Sequence, residues 1–314
     1  MYIITSNMEL IELEQSGIQK MIDSVVNKRQ NANSRATYNS ALKQFFAWYD
    51  EGKYENLGVE TMREYLLYLE KRGKTRSTVS THVSVLRQLF KDLRRMGVID
   101  ENTYTDLMEI RVKPQLGRRI KNWLKQEEVG KLIREMKNEK LKDIRDRAII
   151  AAVIGTGLRR FEICNLKTSQ FQEFEERYVF ANIQGKGDRY RTVPIPEYTL
   201  KCLEEWLNAS ESMRETDDDN IFFSIKKNGM RGNSGITPQG IRDLIVKHTE
   251  KILGKPVLPH DLRRTFAQLA YKNGADLRQV QIALGHSSIR TTEVYLGLDQ
   301  DFTNAPGDYI QVEL

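Results

Sequence analysis

The sequence predicts a mainly α-helical chain of two domains, the second carrying a small antiparallel β-sheet. Three observations lead there. At 314 residues the chain is longer than one hydrophobic core comfortably organises. From Ile18 to about Leu107, apolar residues recur at helical three- and four-residue spacings. In the second half, Tyr178 to Gln184 and Tyr190 to Ile195 alternate in a strand-like way around Gly185-Lys186-Gly187-Asp188, which reads as a hairpin.

The first half reads as a small helical bundle that begins with Ile18 to Lys28. Arg35 to Tyr49 puts Ala41, Leu42, Phe45, Phe46 and Trp48 at helical spacing, and Glu51-Gly52-Lys53 ends that run. Val59 to Lys71 is built on Met62, Tyr65, Leu66 and Leu69, and Arg72-Gly73-Lys74 is its stop. Ser77 to Met96 carries Val79, Val83, Leu86, Leu89, Phe90 and Leu93 on one side, closed by Gly97. After Trp123, helices are expected over Gln126 to Met136 and Asp143 to Ile154. Others follow the hairpin from Thr199, Pro238, Asp261 and Leu277. The expected organisation is an N-terminal extension at 1–17, a helical domain at 18–110, a linker at 111–122 and a second domain at 123–314, ending in a tail at 296–314.

Composition narrows the function. Hydrophobic residues at 39% and charged residues at 29% are those of an ordinary globular protein. No apolar run approaches the ~20 residues that span a bilayer. The start, Met1-Tyr2-Ile3-Ile4-Thr5, lacks the basic segment and cleavage site of a signal peptide. A cytoplasmic protein without a membrane partner is expected. Two cysteines, Cys164 and Cys202, with no Cys-x-x-Cys spacing, support neither a disulfide framework nor a cysteine zinc site. The net charge of +6 favours a polyanionic partner.

Basic residues concentrate in two places. Lys71, Arg72, Lys74, Arg76, Arg87, Lys91, Arg94 and Arg95 are opposed in their window by Asp92 alone. They make either a solvated helix face or a strip that follows a phosphate backbone. Arg111 to Lys125 contains Arg118, Arg119 and Lys121 among its six basic residues and no acid. With Pro114 and Gly117 it reads as an extended linker, and one joining two basic domains suits wrapping a duplex.

The candidate chemistry lies near the C-terminus. His260 and Arg263 fall at i and i+3 of a helix opened by Pro259, so they share a side. His286 follows Leu284-Gly285, a helix stop, and Tyr295 comes soon after. Two of the four histidines thus sit beside arginines and a phenol. Guanidinium forks neutralise phosphate oxygens, imidazoles move protons and a phenol can attack phosphorus. Upstream, Gly155-Thr156-Gly157 follows an apolar helix, and Arg159 and Glu162 would share a face. Lys186 at the hairpin tip, followed by Arg189 and Arg191, could enter a DNA groove and protonate a leaving oxygen. Each residue also has a bland reading: a surface ion pair, an exposed turn lysine, a structural histidine, a packed tyrosine.

In order, these segments resemble the tyrosine recombinase (phage integrase) family. The matching stretches are Thr156-Gly157-Leu158-Arg159 with Glu162, Gly185-Lys186-Gly187, His260-Asp261-Leu262-Arg263, Leu284-Gly285-His286 and Tyr295. Arg264 stands where many relatives have histidine. The resemblance covers almost the whole chain. It implies a SAM-like core-binding helical bundle followed by an α+β catalytic domain. It implies that Tyr295 forms a 3′-phosphotyrosine, that Arg159 and Arg263 hold the phosphate oxygens, and that Lys186 is the general acid. His260 would assist proton transfer, His286 would hydrogen-bond the phosphate, and Glu162 would fix the geometry. No metal or cofactor is implied.

The resemblance also implies partners: a double-stranded DNA recombination site, a dimer of this chain per site, a tetrameric synapse, and room for a second recombinase or accessory protein. DNA contacts are expected from Lys74, Arg76, Arg87, Lys91, Arg94, Arg118, Arg119, Lys121, Arg189 and Arg191. The task would be integration or excision of a mobile element, or resolution of chromosome dimers, by a compact Xer-like enzyme. The apolar tail residues Phe302, Tyr309, Ile310, Val312 and Leu314 are expected to dock on a neighbouring protomer. Relaxation of DNA in the manner of a type IB topoisomerase, and DNA binding without catalysis, are the alternatives.

Overall fold

Side-chain caps and aromatic packing define the first of two units, Met1–Arg118 and Arg119–Leu314, in a computed structural model. The structure describes residues 2–4, 10–12, 15–52, 57–112, 123–137, 139–185, 189–216 and 218–297. In the first unit, strands β1 (Tyr2–Ile4) and β2 (Leu10–Glu12) pair antiparallel. Five helices follow: α1 (Gln15–Val26), α2 (Ala32–Glu51), α3 (Val59–Lys71), α4 (Arg76–Arg95) and α5 (Glu101–Glu109). The Asn31 side chain accepts the Asn33 N–H at 2.8 Å and starts α2 three residues before the expected Arg35. Thr75 and Asp100 cap α4 and α5 in the same way.

The core of this unit is aromatic. Tyr65 is fully buried against Phe45, ring centroids 5.0 Å apart and edge-to-face. Its hydroxyl meets His82 Nδ1 at 2.9 Å, which satisfies a buried polar group and accounts for one histidine structurally.

Two arginines expected to face DNA are engaged inside this unit. Arg87 donates to the carbonyls of Met108 and Ile110 (3.1 and 2.6 Å), satisfying acceptors that the end of α5 leaves open. Arg94 pairs with Glu101 at 2.9 Å and lies 4.4 Å from the Tyr104 ring centre. Lys74, Arg76 and Lys91 are exposed. Arg118, Arg119 and Lys121 lie outside the described residues, as does most of the expected linker.

The second unit opens with α6 (Gln126–Glu135) and α7 (Leu141–Thr156). Ala148 through Val153 are fully buried, so this stretch of α7 is apolar on every side and runs through the middle of the core. A short α8 (Arg160–Cys164) leads to a three-stranded antiparallel sheet of β3 (Phe171–Phe174), β4 (Arg177–Gln184) and β5 (Tyr190–Pro194), in that order. The expected hairpin is β4–β5, and β3 adds a strand to it. An irregular register between Phe180 and Ile183, with Asn182 at φ 52°, lets both apolar side chains reach the core.

α9 (Glu197–Ala209) packs on α7, and its buried Trp206 donates to the Ile221 carbonyl at 2.7 Å. The hairpin β6 (Phe223–Ile225) and β7 (Arg231–Gly235) precedes α10 (Pro238–Leu253), α11 (Pro259–Lys272), α12 (Leu277–Leu284) and α13 (Ile289–Leu296). His248 on α10 is buried and meets Asp146 Oδ2 at 3.2 Å, while Arg145 holds the other oxygen of that carboxylate. Among the described residues, no helix is long and apolar enough to cross a membrane. The tail from 298 onward, with Phe302 and Tyr309, lies outside the described residues.

Candidate active site

The sharp end of α7 sets the first arginine. The helix runs on through Gly155 to Thr156, two residues past its expected end, and stops at Gly157 with φ 62°. A Cβ on Gly157 would lie 2.4 Å from the Phe266 ring, so both the backbone and the packing require glycine. Arg159 then caps α8. Its N–H donates to Glu162 Oε2 at 2.7 Å and its guanidinium to Oε1 at 3.0 Å. Glu162 is buried, and Arg191 from β5 clasps both of its oxygens at 3.0 and 2.7 Å. Burial alone would raise the Glu162 carboxyl. Arg191, and then Arg159, hold it below the usual carboxylate range.

Arg191 was expected to contact DNA, and the structure gives it another role. Its side chain is only 7% exposed, and its Nε donates to the Ala283 carbonyl at 2.8 Å. It ties the sheet to α8 and α12. Arg189, two residues away, is exposed.

α11 supplies His260 and Arg263. Asp261 accepts the Leu258 N–H at 3.2 Å, and Pro259 occupies the first turn, where no N–H is needed. Arg263 is 2% exposed. Its Nη1 donates to the Gly157 carbonyl and its Nη2 to the Leu284 carbonyl, both at 2.5 Å. These acceptors lie at the C-terminal ends of α7 and α12, where helices leave carbonyls unsatisfied. Burial, and secondly Arg159, lower the Arg263 guanidinium to about 10, still charged at neutral pH.

α12 stops at Gly285, φ 62°, and the next residue is His286. Its N–H donates to the Gln281 carbonyl at 3.2 Å, and its own carbonyl accepts from Gln281 Nε2 at 3.0 Å. The ring is held at both nitrogens: Nδ1 lies 3.0 Å from the buried Thr292 hydroxyl, Nε2 3.4 Å from Arg263 Nη2. Burial, then Arg263 and Arg159, push His286 down to about 4. It is neutral at pH 7.

Tyr295 completes the group. Gln268 on α11 donates to the Leu296 carbonyl at 2.6 Å and fastens the end of α13. The Tyr295 hydroxyl donates to the His260 carbonyl at 3.3 Å. The rings of His260 and His286 each stand edge-on to the phenol, with centroids 5.4 Å away. Burial raises the phenol above its ordinary value, while Arg263 and Arg264 favour the ionised form. Partial desolvation, then Arg263 and Arg264, lower the His260 imidazole.

One region therefore collects Arg159, Glu162, His260, Arg263, His286 and Tyr295 from four separate stretches of chain. A cleft of about 430 Å³ opens on it, lined by Arg159, His260 and Arg263 together with Phe161 and Arg242. Lys186 lies outside the described residues. Sequence reasoning missed Gln268, Thr292 and the inward role of Arg191, because each acts through a contact that no local pattern announces. Among the described residues, no three His, Cys, Asp or Glu side chains cluster as metal ligands do. Arginines here outnumber the carboxylates Glu162 and Asp261, so the cleft suits an anion.

Comparison with known proteins agrees. Residues 122–301 match the phage integrase family, and residues 18–97 match the phage integrase N-terminal SAM-like domain. The chain is 30% identical over 248 residues to tyrosine recombinase XerC of Alcanivorax borkumensis, covering 78% of this chain and 77% of that one. It is likewise 30% identical over 260 residues to XerC of Lactobacillus delbrueckii subsp. bulgaricus, with 82% and 84% covered. The fold is similar to that of the XerH site-specific recombinase bound to palindromic difH substrate: TM-score 0.71, 24% identity, 92% of this chain and 82% of that chain. The chain belongs to the phage integrase family and is a tyrosine recombinase, an enzyme that cuts and rejoins DNA at specific sites.

Proposed function

We propose that Tyr295 attacks a scissile DNA phosphate to give a 3′-phosphotyrosine and a free 5′-hydroxyl, and that a 5′-hydroxyl from another strand reverses the attack. The observation that carries this is Arg263. It is a buried guanidinium bonded to two helix-end carbonyls and, among the described residues, to no carboxylate, close to a phenol that is itself half-buried. A charge so placed has remaining donors and no anion, and a phosphate supplies one. Arg159 and Arg263 hold the non-bridging oxygens as charge builds on them. Glu162, itself clasped by Arg191, orients Arg159.

His260 takes the phenolic proton. Its lowered pKa keeps the imidazole unprotonated and able to do so at neutral pH. With the phosphate in place, the neutral His286 ring carries its proton on Nε2 and donates to the phosphate instead of facing Arg263, while Nδ1 accepts from the Thr292 hydroxyl. Lys186 between β4 and β5 protonates the departing 5′-oxygen. The exposed Lys74, Arg76, Lys91 and Arg189, with Arg118, Arg119 and Lys121, contact the DNA backbone.

The reading extends to assembly. Residues 18–110 and 123–314 each bind DNA and are joined by the basic 111–122 linker, with one dimer per site and four protomers in the synapse. The apolar tail couples neighbouring protomers. Similarity to XerC relatives over most of both chains supports a Xer-type enzyme. The test begins by selecting duplexes bound by the full chain from a random pool. The selected site, nicked beside the scissile phosphate, should trap a covalent adduct that maps to Tyr295. An adduct at any other residue, or none, overturns the proposal.

A further inference from the structure

Arg264 contrasts with three other arginines near the site. Arg159, Arg191 and Arg263 each donate hydrogen bonds to protein acceptors. Arg264 donates none among the described residues, and its Nε is buried without a partner. Its guanidinium carbon instead lies 4.9 Å from the centre of the Tyr295 ring. A buried N–H without an acceptor is costly, and cores rarely keep one without return.

We propose that Arg264 is the positioning residue for the Tyr295 nucleophile, stacking its planar cation on the phenol to fix the ring and stabilise the phenolate. This rests on the proposed role of Tyr295. The geometry suits it: the His260 and His286 rings each stand steeply inclined to the phenol with centroids 5.4 Å away, and the guanidinium carbon lies 4.9 Å from its centre. Long arginine side chains lose rotamer entropy when ordered, and stacking on an aromatic face offsets part of that cost. The same arrangement serves both directions of the reaction. In attack, the phenolic oxygen bonds to phosphorus as its proton passes to His260, and the bond from phosphorus to the 5′-oxygen breaks. In religation a 5′-hydroxyl bonds to phosphorus, the bond to the phenolic oxygen breaks, and the electron pair returns to a phenol whose ring faces a standing cation.

The charged and titratable groups around Tyr295 are His260, Asp261, Arg263 and Arg264 on α11 and His286 in the loop ahead of α13. Of these, Arg263 and Arg264 lower the phenol and Asp261 raises it. Removing Arg264 therefore leaves a phenol harder to ionise. Attack by the ionised form then needs a higher pH, so the loss is largest near neutrality and shrinks as the solution becomes alkaline.

The experiment uses the full chain and the selected site in a nicked duplex whose leaving 5′-oxygen is replaced by sulfur. That leaving group departs without a proton, so Lys186 drops out of the rate. Single-turnover adduct formation is followed against pH for wild type, Arg264→Gln and Arg264→Lys, alongside DNA affinity and melting temperature. Arg264→Gln should be slower at pH 7 by about 10- to 30-fold, the scale of a desolvated cation–π contact. Its pH profile should move to the alkaline side, Arg264→Lys should recover part of the rate, and affinity should change little. A deficit equal at every pH, a matching loss of DNA affinity, or wild-type rates in both variants each overturn the inference. Absence of any adduct from the wild-type protein defeats instead the assignment of Tyr295.

Discussion

Arg191 holds Glu162 through both carboxylate oxygens at 3.0 and 2.7 Å, with both side chains less than a tenth exposed. A buried carboxylate stripped of such a partner keeps its desolvation cost and loses the compensating charge. Arg191→Ala should therefore destabilise the second unit by about 3 kcal/mol or more, read from urea unfolding. Cleavage should fall with it, since Arg159 leans on the same carboxylate. Arg189→Ala should leave the unfolding midpoint where it was.

The same carboxyl predicts acid lability. Glu162 titrates below its ordinary value of 4.5 in the folded protein, so the unfolded chain binds the proton first as pH falls. Its contribution is present above 4.5 and is lost as pH drops through the lower, folded value. Glu162→Gln should flatten the pH dependence of unfolding below pH 4.5. An unchanged slope would remove Glu162 from the account.

His286 behaves with the opposite charge and the same pH direction. The folded ring stays neutral down to about 4, while the unfolded ring protonates near 6.5. Stability contributed by the neutral ring is complete above pH 6.5 and declines as pH falls toward 4. The ring resonances of His286 should accordingly show no titration between pH 7 and 5. His260, also lowered, should titrate below 6.5.

Tyr295→Phe should abolish the covalent adduct while DNA affinity stays within about twofold, because one hydroxyl is removed and the positive surface is kept. Arg159→Ala should slow adduct formation by about 100- to 1,000-fold, the scale of losing one donor to a developing anion. Rates near wild type in Arg159→Ala would mean that another cation holds that oxygen.

Two glycines provide a matched pair. Gly157 and Gly254 both have positive φ, 62° and 70°, but a Cβ on Gly254 meets nothing within 4 Å. Gly254→Ala should cost about 1–2 kcal/mol from backbone conformation alone. Gly157→Ala should cost more and also lower the cleavage rate, since the Gly157 carbonyl anchors Arg263. Equal costs with intact cleavage would show that the Phe266 ring simply moves aside.

Periodicity made the helices legible. Phe45, Tyr65 and Leu86 all occupy the core that their spacing predicts. The β4–β5 hairpin was legible from alternation around glycines, whereas β3 was not. Its turn is Glu175-Glu176, both at positive φ (46° and 61°), a conformation usually signalled by glycine or asparagine. β6, three residues long, is too brief for any period to register.

The sequence by itself determined which residue types reach the site, because the motifs around Arg159, His260, Arg263, His286 and Tyr295 are local and ordered. It also determined the domain character, since helical spacing is written in neighbouring residues. Only the tertiary structure decided which basic side chains face inward. Arg87 and Arg191 look no different in sequence from Lys91 or Arg189, yet they close on carbonyls or carboxylates distant in the chain, and Arg94 closes on Glu101 across the turn between two helices. A guanidinium takes the nearest acceptor that folding brings to it, and that distance is a property of packing.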